Sequence, residues 1–142
     1  MSLAHIMTTR VVTVQLDDSL HTIRAIFEKT KFHHLIVLEN DEVMGVISDR
    51  DVLKATSPFI DTLSERYRDR MTLEKKAHQI MTREVLSLKP EDTIVSAIKL
   101  FNRHAVSCIP VVDTQNHLKG IVSWRDIMHY VENMVDRKKQ GE

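Results

Sequence analysis

The chain has 142 residues, 42% of them hydrophobic and 28% charged, and its 20 basic side chains cancel its 20 acidic ones. That length suits one ordinary domain or two small units sharing a core, and the composition reads as soluble and globular rather than disordered. Neutrality excludes a global field toward nucleic acid or an anionic membrane, and no apolar run approaches the ~18 residues of a membrane span. The single cysteine, Cys108, excludes an internal disulfide and predicts a reducing, cytoplasmic setting. Val106, Ile109 and Val111 around it predict a buried small hydrophobe rather than a nucleophile. Nothing at the start reads as a signal peptide, and Met1-Ser2-Leu3 reads as a cloning remnant.

Val11-Val12-Thr13-Val14 is a short β-branched run and predicts a first strand. Asp17-Asp18-Ser19 then supplies a helix cap, and Leu20, Ile23, Ile26 and Phe27 share one helical face. Residues 35–39 and 43–48 are apolar runs joined by a short polar turn, hence an antiparallel hairpin, and a second helix opens at Asp49. Residues 54–79 are highly charged, with Leu63, Tyr67 and Met71 at four-residue steps, which predicts an amphipathic linker helix with a solvated polar face. From there the order recurs. Residues 85–88 predict a strand, Glu91-Asp92-Thr93 a cap, and Ile94, Ala97, Ile98 and Phe101 a helical face. Residues 109–113 and 118–123 predict a second hairpin. A last helix opens at Trp124 and carries Ile127, Val131, Met134 and Val135 as a packed stripe before a basic Arg137-Lys138-Lys139 end.

The recurrence extends to residue identity. Ile6, Met7, Thr8, Val11, Asp18, Phe27 and Val37 match Ile80, Met81, Thr82, Val85, Asp92, Phe101 and Val111 at a spacing of 74. After one residue inserted near Asn116 the spacing is 75, and GVISDRD at 45–51 matches GIVSWRD at 120–126. Each copy is a β-α-β-β-α unit too small to bury its apolar face alone, so the copies are expected to cover each other. The expected division is residues 4–54, a linker at 55–78, a second copy at 79–135 and a tail at 136–142.

Ser48-x-x-Asp51 and Ser123-x-x-Asp126 fit the capping box that starts a helix. Capping leaves three features over. Gly45 and Gly120 lie inside strands, where glycine marks close approach. Arg50 and Arg125 stand in the first helical turn, where a cation opposes the helix dipole. The whole group occurs twice. An anionic ligand at the helix starts accounts for all three. Glycine would clear space for a flat group, first-turn N–H groups, the serine hydroxyl and arginine would meet phosphate, and the acceptor-only aspartate would suit ribose hydroxyls. A nucleotide has both needs.

IMTxxVxxV, an amphipathic helix, a hydrophobic hairpin and G-h-h-S-x-x-D, all in duplicate, resemble a tandem pair of CBS domains, over residues 4–54 and 78–131. The resemblance implies a mixed α/β fold in which two β-α-β-β-α units pack through their sheets about a pseudo-twofold axis and leave two clefts. It implies a regulatory sensor of AMP, ADP or ATP, with S-adenosylmethionine a weaker candidate, that works as a homodimer and signals to a protein partner. By position, Asp51 and Asp126 would hold ribose, Ser48 and Ser123 would face phosphate or ribose, and Arg50 and Arg125 would meet phosphate. The base would lie against Val12 or Leu86 and against Phe32-His33-His34 or Val106-Ser107-Cys108. His33 is either a phosphate contact or an exposed strand edge. Pro110 enters the second copy's central strand where the first has Ile36, and Trp124, which replaces Asp49, either lines the second cleft, blocks it or packs at a dimer interface. The other reading is a ligand-free structural or protein-interaction module whose Ser/Asp pairs only cap helices. An enzyme is not expected: there is no P-loop and no converging triad, and Asp51 and Asp126 fall in separate half-sites. The eight histidines show no metal spacing, and the seven aromatic residues sit in no basic stripe, so neither a metal site nor nucleic-acid binding is expected.

Overall fold

Ser19 and Thr93 start the first helix of each copy, their side chains accepting from Thr22 N and Ser96 N. In the computed structural model, which describes residues 1–141, the chain forms two compact units: Val12–Val85, and Met1–Val11 together with the residues from Leu86 onward. The units therefore cut across the order of the repeats, because the leading segment of each copy folds with the other copy's hairpin.

In the unit spanning Val12–Val85, strand β1 (Thr13–Gln15) leads to helix α1 (Leu20–Lys29), and strands β2 (His34–Glu39) and β3 (Glu42–Ser48) follow. The sheet order is β1-β2-β3, with β1 parallel to β2 and β2 antiparallel to β3. Asn40 and Asp41 form the two-residue hairpin loop at φ 52° and 66°, the left-handed values that match strand twist in such turns. Helix α2 (Asp49–Ala55) comes next, then α3 (Tyr67–Arg70), a 3-10 turn at Met71–Glu74, and α4 (Ala77–Ile80). Leu20 and Ile23 of α1 pack on Leu35, Val37 and Ile47 of the sheet, with Val52, Leu73 and Ala77 completing the core.

The other unit holds α5 (Ile94–Arg103), the hairpin β4 (Cys108–Val112) and β5 (Leu118–Ser123), and α6 (Trp124–Gln140). Its core joins Ile94, Ala97 and Phe101 to Ile109, Val111, Val122 and Ile127, and Leu3 completes it. Leu3 is wholly buried and its N–H donates to Asp92 O at 2.8 Å. Leu3 is thus part of the core.

Three expectations need correction. The leading strands are shorter than residues 11–14 and 85–88: β1 begins at Thr13, and the second copy keeps only a parallel bridge between Leu88 and Val111. In the second copy the cause is one residue. Ile36 N donates to Val12 O, whereas Pro110 stands at the matching position, has no N–H, and leaves Leu86 O without that bond. In the linker, Leu63 and Tyr67 point into solvent, and Ile60, Asp69 and Leu73 are buried instead. The helix stops after four residues and tightens to 3-10, so the period that would align a stripe is not kept. Asp69 turns inward to accept from Arg66 N and Ser57 Oγ. On α6 only Ile127 is buried; Val131, Met134 and Val135 are exposed by 40–47%, because the helix runs on past the core beneath it.

Candidate functional site

Both glycines are occupied by protein, not by open space. A Cβ on Gly45 would lie 2.5 Å from Met81 Sδ and 2.9 Å from Thr82 O; one on Gly120 would lie 2.8 Å from Thr8 O and 2.9 Å from Met7 Sδ. Neither glycine has positive φ. Each lets the Ile-Met-Thr segment of the other copy lie against the strand, where Val46 and Thr82 exchange backbone bonds of 2.9 and 3.1 Å and Thr8 and Ile121 exchange two of 2.8 Å. The expectation that glycine clears room for a ligand is therefore corrected: it clears room for backbone.

In the Val12–Val85 unit, Ser48 N donates to Asp51 Oδ2 at 2.9 Å and Asp51 N to Ser48 Oγ at 3.1 Å, a complete capping box. Strand pairing puts His34 opposite Ser48, and His33 O accepts from Asp49 N. His33 Nδ1 lies 2.9 Å from Asp49 Oδ2, an exposed contact that pulls the Asp49 carboxyl below its usual range. Burial pushes the His34 imidazole below the usual histidine value, against the opposing pull of Asp49 and Asp51. Phe32 is 40% exposed and Val12 half-buried. Arg50 is exposed and has no carboxylate partner among the described residues. The fold thus gathers His33, His34, Ser48, Arg50 and Asp51 at one end of the hairpin.

The other unit repeats this frame. Ser123 N donates to Asp126 Oδ2 at 2.9 Å and Asp126 N to Ser123 Oγ at 3.3 Å; Cys108 pairs with Ser123, and Ser107 O accepts from Trp124 N. Ser107 and Arg125 are exposed, Arg125 without a carboxylate partner among the described residues, while Leu86 and Val106 are half-buried. Pro110 is wholly buried and offers a ligand no surface, and burial pushes the Cys108 thiol up to about 12, so both pack rather than react. Trp124 rests its ring on Phe101 at 5.2 Å between centroids and stays 43% exposed. First-turn N–H groups are largely spoken for. Those of residues 49 and 124 go to His33 O and Ser107 O just before each hairpin, and those of 51 and 126 to the capping serines. Phosphate at these helix starts would rely on the arginine side chains.

One polar contact lies outside the motif: Thr8 Oγ1 donates to Asp126 Oδ1 at 3.3 Å. The Ile-Met-Thr triplet, found in both copies, is the sequence signal for it, but its meeting with Asp126 depends on the exchange of leading segments. Asp126 also borders a cleft of about 420 Å³ between the N-terminal segment and α6. Its basic residues His5, His129 and Arg137 belong to no duplicated motif.

The chain matches the CBS domain family over residues 3–57 and again over 77–133. A CBS domain-containing protein of Dictyostelium discoideum is 30% identical over 87% of this chain and 86% of its own length. A homoserine O-acetyltransferase of Methanococcoides burtonii is 34% identical over 89% of this chain, which spans only 23% of that enzyme. Among solved structures, CBSX2 in complex with AMP superposes with a TM-score of 0.78 at 21% identity, covering 94% of this chain and 97% of that one. With two consecutive matches and the mixed α/β fold of both units, the chain belongs to the CBS domain family and carries two copies of the domain.

Proposed function

We propose that this chain is a regulatory module, not an enzyme, that binds an adenine nucleotide and conveys its presence to a partner protein, acting as a cytoplasmic homodimer. The observation that carries this reading is the pair of guanidinium groups, Arg50 and Arg125, that have no carboxylate partner among the described residues, each one residue before a capping-box aspartate in a charge-balanced chain. Arginine in a first helical turn opposes the dipole, and a ligand phosphate would reverse that penalty. Asp51 and Asp126 use one carboxylate oxygen on the capping serine, and a carboxylate has about four lone-pair sites, so acceptor capacity remains for ribose hydroxyls. The AMP complex of a CBS protein with this fold supports the same ligand class. S-adenosylmethionine suits the site less, since its sulfonium is cationic and it offers the arginines a single carboxylate in place of a phosphate. Such a ligand shifts a partner's state only by its differential affinity, typically ~1–3 kcal/mol.

The test is thermal unfolding and calorimetry with AMP, ADP, ATP and S-adenosylmethionine. A nucleotide at 100 times its Kd adds about 2.7 kcal/mol to stability. Asp51→Asn and Asp126→Asn, which keep an acceptor for the serine N–H, are each expected to weaken binding about tenfold or more at their own half-site. Absence of any nucleotide shift would leave the ligand-free interaction module, a reading favoured by the completeness of both capping boxes.

A further inference from the structure

The cleft along α6 has a polarity that the duplicated motif does not explain. Asp126, His129, Tyr130, Asn133 and Arg137 fall on one face of the helix, with His5 of the N-terminal segment on the opposite wall. At 1.5 Å per residue the run from Asp126 to Arg137 is about 16 Å long. A carboxylate stands at one end and a guanidinium at the other, with imidazoles between. The Arg137 guanidinium and the His129 ring have no side-chain partner among the described residues, so both are free for a ligand. The opposite wall is held in place by Leu3 in the core and by Ile94 N donating to Met1 O at 3.4 Å.

This arrangement matches a molecule with hydroxyl donors at one end and several negative charges beyond them. We propose that the cleft receives the phosphate chain of a nucleotide whose ribose rests on Asp126, and so makes this unit favour nucleoside di- and triphosphates over monophosphates. The inference rests on the adenine-nucleotide reading and adds a specificity to it. Among the described residues Oδ1 of Asp126 accepts only from Thr8, at 3.3 Å, so it retains a lone pair for a ribose hydroxyl. A monophosphate reaches no farther than the first turn; each added phosphate carries charge along the helix toward His129 and Arg137, where charge-assisted bonds are available. In the other unit the cleft along α2, with Arg24 and Lys54 on its walls, does not include Asp51, and α2 ends at Ala55 without a continuing face beside that aspartate. Discrimination by phosphate number is therefore a property of one half of the chain.

The experiment is calorimetric titration of AMP and ATP into the full chain carrying Asp51→Asn, which weakens the other half-site, with and without Arg137→Ala, His129→Ala or Arg137→Lys. Arg137 and His129 are exposed, and circular dichroism checks that the variants fold. ATP is expected to bind more tightly than AMP; Arg137→Ala lowers ATP affinity about tenfold, changes AMP less than twofold, and Arg137→Lys recovers most of the loss. Equal effects on ATP and AMP, or none on ATP, would overturn the specificity while the nucleotide reading stands. If the chain with both aspartates intact binds no nucleotide at all, both fall together.

Discussion

A single methyl group separates two accounts of the motif glycines. If Gly45 made room for a ligand, Gly45→Ala would spare stability and weaken binding. In the structure that methyl meets a flexible thioether at 2.5 Å and, at 2.9 Å, the carbonyl of Thr82, which accepts from Val46 N. The thioether can swing away; the carbonyl cannot without breaking the bridge. Gly45→Ala is therefore expected to destabilise the protein by about 1–3 kcal/mol, read as a lower denaturant midpoint at unchanged slope. An unchanged midpoint would return the glycine to a ligand role. The motif aspartates show the same economy at this scale, since the oxygen that completes a capping box leaves its neighbour free for other work.

Helices α2 and α6 begin with the same box and end very differently. Seven residues suffice for α2, which buries Val52, whereas α6 continues for 17 and buries only Ile127. Beyond that turn Tyr130 still packs against the core, but Val131, Met134 and Val135 stay 40–47% exposed. Ile127→Ala is expected to cost about 2–4 kcal/mol, as deletion of a buried branched side chain usually does. Val131→Ser, 43% exposed in wild type, is expected to stay within about 0.5 kcal/mol in dilute solution. Chemical denaturation of both variants decides it, and a comparable loss at Val131 would mean that a second chain covers the stripe. The contrast also shows why periodicity misled: an apolar repeat along a helix says which residues share a face, not whether anything lies against it.

At the scale of the whole molecule, the repeats and the folded units do not coincide. Met1–Val11 belongs with the second copy's hairpin, and residues 77–85 with the first copy's. Deleting residues 1–8 removes Leu3 from a core and Thr8 from its bridge to Ile121. The expected result is lost amide-exchange protection in β4 and β5, with β2 and β3 little changed. Equal loss in both hairpins, or none, would contradict this division.

The letters alone carried the duplication, the hairpins, the helix starts and the motif pairs, because capping, turn chemistry and local periodicity act over a few residues. Chain order could not say which Ile-Met-Thr segment would meet which glycine, since the two copies offer nearly the same partners and only packing chooses. Nor could it place His5, His129 and Arg137 in one cleft, as nothing in their spacing joins a leading segment to the far end of a helix more than a hundred residues away. Local physics wrote the elements; the exchange of segments between copies, a long-range packing outcome, assembled the site.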